Sequence, residues 1–190
     1  MSKEKADLQH VHQLQKQLSE ARWDYWVTEV LLSWQWIFLL VCSIVFTLVW
    51  LHLVKKNTLL LTLVNGLLTL AFCLIADTLG GELQLWDYPR MLLPWGARII
   101  CIDWMIAAHS MLLYQYFSGW RAFLAAAAGL SVLFAGVLEP LAVWMGIYIK
   151  YSWSSWYSLP AYFLLFCGMK AAADGIGRRQ AGHLERVPKA

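Results

Sequence analysis

Five uninterrupted apolar runs constrain this chain more than any other feature: Leu31–Val54, Thr58–Leu79, Trp95–Phe117, Ala122–Trp144 and Tyr157–Ala173. At about 17–25 residues, each is long enough to cross a hydrocarbon core of about 30 Å as a helix. Inside a bilayer the backbone must satisfy its own hydrogen bonds, which leaves helices or closed barrels. Barrel strands alternate apolar and polar residues, whereas these runs are continuous and rich in Leu and Ala, so helices are expected. The 190 residues are 60% hydrophobic and 14% charged, against about 25% charged in soluble domains. The expected fold is all-α and integral to a membrane. Five transmembrane helices occupy residues 31–174, an amphipathic helix residues 1–30 and a basic tail residues 175–190.

The polar opening does not read as a signal peptide, which would be a short basic stretch followed by a brief apolar core. Val11, Leu14, Leu18, Ala21 and Tyr25 recur every three or four residues among Gln, Lys and Glu, the pattern of an amphipathic helix. Such a helix lies on the membrane surface or pairs with a second copy as a short coiled coil. The first is favoured, because about two heptads make a marginal coiled coil. Trp23, Trp26, Trp34 and Trp36 would mark the headgroup level. The basic turn from His52 to Asn57 points that loop to the cytoplasm. The N-terminus and the 80–94 loop are then outside and the C-terminal tail inside, with Lys170, Arg178, Arg179, Arg186 and Lys189 in agreement. Lys16 and Arg22 run against this orientation.

The net charge of +3, spread along the chain, gives no basic face for nucleic acid. The four cysteines fall singly in separate runs, with no CxxC or Cys/His spacing, so they read as small buried hydrophobes. No Gly-rich phosphate loop, catalytic triad order or HExxH segment occurs, and neither a metal nor a cofactor is expected.

The informative residues are acids inside the apolar runs, where ionisable groups face a bundle interior or water and mark function by default. Asp77 lies near the end of the second run. Asp103 lies about eight residues, or roughly 12 Å, into the third, and Glu139 in the last third of the fourth. With five spans, all three fall at one membrane face, on the side of the 80–94 loop. Asp77 shares a stripe with Gly66 and Cys73, and Glu139 one with Ala135 and Ala128 beside Gly129 and Gly136; small residues there let helices approach closely. Pro140 should kink the fourth helix near Gly136. Gly80 and Gly81 are expected to turn the chain after Asp77. Arg90, Arg98 and Lys150 are candidate partners for the acids. Alternatively, these charges only pair and hold the bundle together. Trp104, Trp144 and Tyr148 are the aromatic residues nearest the acids. Carboxylates beside ring faces suit a cation or a developing positive charge.

The segments SWQWIFLL, LVWLHLVKKNTLLL, DTLGGELQLWDYP, LLYQYF and LEPLAVWMGIY resemble a family of small polytopic membrane proteins found mostly in endospore-forming Firmicutes. The resemblance runs from about Trp23 to Ala173. It implies a five-span bacterial plasma-membrane protein and carries no established activity with it. Glu139-Pro140-x-x-Val143-x-x-Gly146-x-Tyr148 is similar to an acidic-Pro segment of carotenoid-pathway cyclase-like membrane enzymes, whose acids are thought to protonate an isoprenoid. Their paired acidic motif is missing here.

Three functions are compatible with these features. The first is a pocket for a lipidic or isoprenoid molecule, bound by Asp77, Arg98, Trp104, Trp144 and Tyr148, with Asp103 and Glu139 as the groups for acid catalysis. The second is a small proton- or cation-linked transporter. The third is a non-catalytic scaffold or complex subunit docking through its N-terminal helix. The lack of an internal repeat argues against a stand-alone secondary transporter.

Overall fold

The longest apolar runs become the longest helices. In the computed structural model, which describes residues 8–94 and 101–184, the elements are mostly helical. They are α1 (Leu8–Tyr25), α2 (Trp34–Leu53), α3 (Leu59–Glu82), α4 (Ile102–Tyr116), α5 (Trp120–Leu133), α6 (Glu139–Trp144) and α7 (Ser155–Leu184). A π turn, Phe134–Leu138, joins α5 to α6 without a break, and another, Trp26–Val30, follows α1. Ser33 caps α2, its hydroxyl accepting from the Trp36 amide at 3.3 Å.

Among the described residues, four helical stretches are long and apolar enough to cross a membrane: Trp34–Leu53, Lys56–Glu82, Trp120–Trp144 and Ser155–Gln180. The third run behaves differently. Its described helix, α4, has 15 residues, short of the about 17 that a span needs, and residues 95–100 lie outside the described part. α4 is a central helix packed against α2, α3 and α5, and buries Ile106, Ala107, Ala108, Met111 and Leu113.

The inward stripe of α3 reads Thr62, Asn65, Gly66, Thr69, Cys73, Asp77 and Gly80, the expected face carried further in both directions. At Gly66 the Met111 side chain fills the space a Cβ would need, so α3 and α4 sit close together. Below the acids, Phe166 and Phe123 are fully buried in a cluster with Cys73, Ile106 and Leu113. Ala135 and Glu139 are buried, but Ala128, Gly129 and Gly136 are exposed. The small-residue ridge of α5 therefore faces outward, and among the described residues no side chain of a neighbouring helix lies near either glycine.

At the acidic end two loops are zipped together. β1 (Trp86–Asp87) pairs antiparallel with β2 (Ile149–Lys150) in the register Trp86 to Lys150, a short ladder that the helical patterning did not announce. Indole donors fasten the preceding segment to this end: Trp26 Nε1 bonds Met91 O and Trp36 Nε1 bonds Leu92 O, both at 3.1 Å. The expected turn at Gly80–Gly81 does not occur there. α3 continues to Glu82, and the left-handed residue is Gln84, with φ 51°. At the far end α7 runs on through Arg178 and Arg179, and Lys170 is buried within it.

Candidate functional site: a buried acid cluster between a groove and a vestibule

Asp77, on the inward stripe of α3, is 9% exposed. Asp103 is 1% exposed and occupies the first turn of α4, where the positive end of the helix dipole favours a carboxylate. Glu139, 8% exposed, opens α6. All three line one cavity of about 100 Å³, together with Trp86, Tyr88, Tyr148 and Tyr162. Residues from five elements, α3, β1, α4, α6 and α7, thus converge at one end of the bundle.

The local chemistry explains how each acid is aimed. Pro140 has no amide hydrogen to give the preceding turn, and the helix widens just before it. The Glu139 amide bonds Phe134 O, five residues back, closing the π turn. This is the expected kink, realised as one extra residue in the turn; such π turns occur often at functional sites. Glu139 Oε2 is buried and has no hydrogen-bond partner among the described residues. Asp77 Oδ1 accepts from Trp86 Nε1 at 2.9 Å, and the Trp86 ring packs edge-on against Trp153 at 4.8 Å. Trp86 can lie there only because residue 80 is glycine: a Cβ at Gly80 would collide with the indole. Gly80→Ala should therefore push Trp86 off Asp77 and cost about 1–3 kcal/mol, read as a lower unfolding midpoint in detergent. A midpoint unchanged from wild type would mean that the indole is not seated by this glycine.

Two larger spaces meet this cavity. On one side an apolar groove of about 290 Å³ runs between α2, α4 and the α5–α6 arm, past Phe38, Phe46, Met105 and Leu141. It shares Tyr88, Glu139, Tyr148 and Tyr162 with the acid cavity. Phe38, Leu138 and Leu141 at its mouth are exposed on the outer surface. On the other side a vestibule of about 670 Å³ is lined by Arg22 and Tyr25 at the end of α1, by Glu82 and Asp87, and by Asp77, Asp103 and Tyr88. The Tyr88 and Tyr148 rings, 5.0 Å apart, stand where the spaces join. Desolvation, with Asp77 adding to it, raises the Tyr88 phenol well above its ordinary pKa, so it stays a neutral hydrogen-bonding group.

Of the residues singled out from sequence, Asp77, Asp103, Glu139 and Tyr148 are brought together. Trp144 is 80% exposed and points away. Trp104 faces α2, its Nε1 donating to Thr47 Oγ1 at 2.9 Å beside Trp50. Arg98 lies outside the described residues. Arg90 donates to the backbone carbonyl of Glu29 and Lys150 to Ser155 Oγ, so neither bonds these acids. His109 lines the groove, its Nδ1 donating to Met105 O at 2.7 Å. Among the described residues no group of His, Cys, Asp and Glu is arranged to hold a metal ion. Sequence reasoning missed Trp86, Tyr88 and Tyr162 as part of the site. Trp86 had one usable signal, its position six residues beyond Gly80, and nothing in the pattern of α7 singled out Tyr162.

Fold and site together define a mostly helical protein with, among the described residues, four helices long enough for a membrane and a cluster of buried acids at one end. The chain matches no family model, and no curated protein and no solved structure is significantly similar to it.

Proposed function

We propose that this is a multi-pass membrane protein that binds an amphiphile, with its apolar chain in the groove and its polar head at the acid cluster. One observation carries the reading. Glu139 belongs to both the groove and the acid cavity, and its Oε2 has no partner among the described residues. A buried, unsatisfied carboxyl oxygen at the end of an apolar groove costs free energy unless a ligand meets it. Sites of this kind, apolar walls with a few converging polar groups, are typical for small molecules. The ligand class that fits is a single-chain lipid or isoprenoid with a hydroxyl or ammonium head.

The same proposal places five spans in a bacterial plasma membrane, with α4 in the third. The acid cluster and the paired loops then face outside and the C-terminus the cytoplasm. α1, whose Leu8, Val11, Leu14 and Leu18 are all exposed, lies along the headgroups. In the catalytic form of the proposal, Asp103 or Glu139 gives a proton to the ligand head.

The test is mass spectrometry of lipids that co-purify in mild detergent. Wild type should retain one amphiphile class near one per chain. Glu139→Leu should lose it by about tenfold or more, the worth of one buried polar contact, while Leu67→Val on the exposed face of α3 should not. Lipids in bulk-membrane proportions on all three proteins would end the proposal.

A further inference from the structure

The inward stripe of α3 holds a second polar feature that an amphiphile at the acid cluster would not touch. Thr62, Asn65 and Thr69 are fully buried, and Ser110 on α4, which faces them, is 1% exposed. The Thr69 hydroxyl lies 3.0 Å from Ser110 Oγ, and the Ser110 hydroxyl donates to Asn65 Oδ1 at 2.8 Å. Two polar atoms at the far end, Asn65 Nδ2 and Thr62 Oγ1, have no hydrogen-bond partner among the described residues. In an apolar bundle each such atom costs free energy unless water or another polar group meets it. Buried waters serve such groups in folded proteins. One turn toward the acids comes Cys73, which lines the acid cavity with Asp77 and Asp103. Those two aspartates also line the vestibule. From Thr62 to Asp77 the stripe covers about four turns, or roughly 22 Å at 1.5 Å per residue, against a hydrocarbon core of about 30 Å. Thr62 stands within one turn of the start of α3.

We propose that this α3–α4 seam is a proton path joining the acid cavity to the opposite face of the bundle. The hydroxyls of Thr69 and Ser110 each accept a proton on one side and release one on the other. Waters held by Asn65 and Thr62 carry the relay to the loop after α2. O–H bonds, and the S–H bond of Cys73, are broken and re-formed, and no charge stays on the seam. Cys73 is the weak link, because a thiol is a poor hydrogen-bonding group. Gly66 seated against Met111 keeps the seam too narrow for a larger ion. The path requires membrane insertion but no amphiphile, so it stands or falls apart from the binding reading.

The experiment places the purified full-length protein in phosphatidylethanolamine–phosphatidylglycerol vesicles containing a trapped pH dye, with a valinomycin-set potassium potential to drive protons inward. Wild type should acidify the lumen well above protein-free vesicles. Ser110→Ala and Asn65→Leu should reduce the rate by about tenfold or more, as loss of a proton-transfer group does. Ser110→Thr should restore it, and Leu67→Val, on the exposed face of α3, should leave it unchanged. Should Asn65→Leu fail to give a monodisperse peak in gel filtration, Thr62→Val against Thr62→Ser makes the same comparison. A wild-type rate equal to that of empty vesicles, or one indifferent to Ser110→Ala and to the Asn65 or Thr62 variants, would overturn the proton path.

Discussion

Lys170→Met should lower the stability of the folded protein by about 3 kcal/mol, near the lower end for a broken buried ion pair. Lys170 is 2% exposed, and its Nζ lies 3.2 Å from Asp174 Oδ2. The ammonium is surrounded by the rings of Tyr114, Trp120 and Phe123, each about 5 Å away at its centroid. Tyr114 also donates its hydroxyl to Asp174 Oδ1 at 3.0 Å. Removing the cation leaves Asp174 with only a phenol against it. The loss is held to the low end because the Asp174 side chain keeps 24% exposure and some access to water. The pair also offers an internal control. Lys170→Met combined with Asp174→Leu removes both charges and should recover most of the loss, because an apolar pair of similar volume often matches a buried ion pair. Chemical denaturation in mixed micelles measures both. A single variant within about 0.5 kcal/mol of wild type, the range of ordinary surface changes, would show that the pair holds nothing together.

The second large effect is expected at Phe166, which is fully buried among Cys73, Ile106, Leu113 and Phe123. Its ring also meets Phe134 and Tyr162 at 6.2 and 6.4 Å between centroids. Phe166→Ala should cost about 3 kcal/mol, the lower limit for such truncations. In a bilayer the unfolded reference keeps the ring in lipid instead of water. The loss then comes from the cavity and missing packing contacts and not from hydrophobic transfer. Phe166→Leu fills part of the volume and should lose about half as much. Equal losses in the two variants would indicate that ring stacking, not volume, is what the site requires.

Much of this fold is legible in the sequence, because apolar runs and helical spacing report one dimension at a time. The inward stripe of α3 follows from Gly66, Cys73 and Asp77 at steps of seven and four, and Asp77 was placed on the right face by that rule alone. Nearness along the chain was a poorer guide. Trp104 follows Asp103, but one residue turns a helix by about 100°, so the acid faces α3 while the indole faces α2. Tyr148 reaches the acids through a reversal at Gly146, whose φ of 69° suits glycine; Trp144, before that reversal, points outward. Trp86 comes to Asp77 through a loop whose course depends on pairing with residues 149 and 150, a long-range contact that no local pattern encodes. Lys170 and Asp174 carried a readable signal, an i,i+4 pair of opposite charge. Charge counting alone groups Lys170 with the basic residues of the tail and leaves that pairing unread.

The π turn before Glu139 has a consequence for how this site could be gained or lost. Such a turn is an α-helix carrying one surplus residue, so it acts as a rotational spacer between the two halves of a long helix. Without that widened turn, the same residues in an unbroken α-helix would close the hydrogen-bond ladder with its usual four-residue step. Everything after it, Glu139 included, would swing by about 100° around the axis, carrying the carboxyl from the bundle interior toward the surface. A widened turn that absorbs one residue therefore separates a chain that presents this acid to its groove from one with the same composition and no acid there.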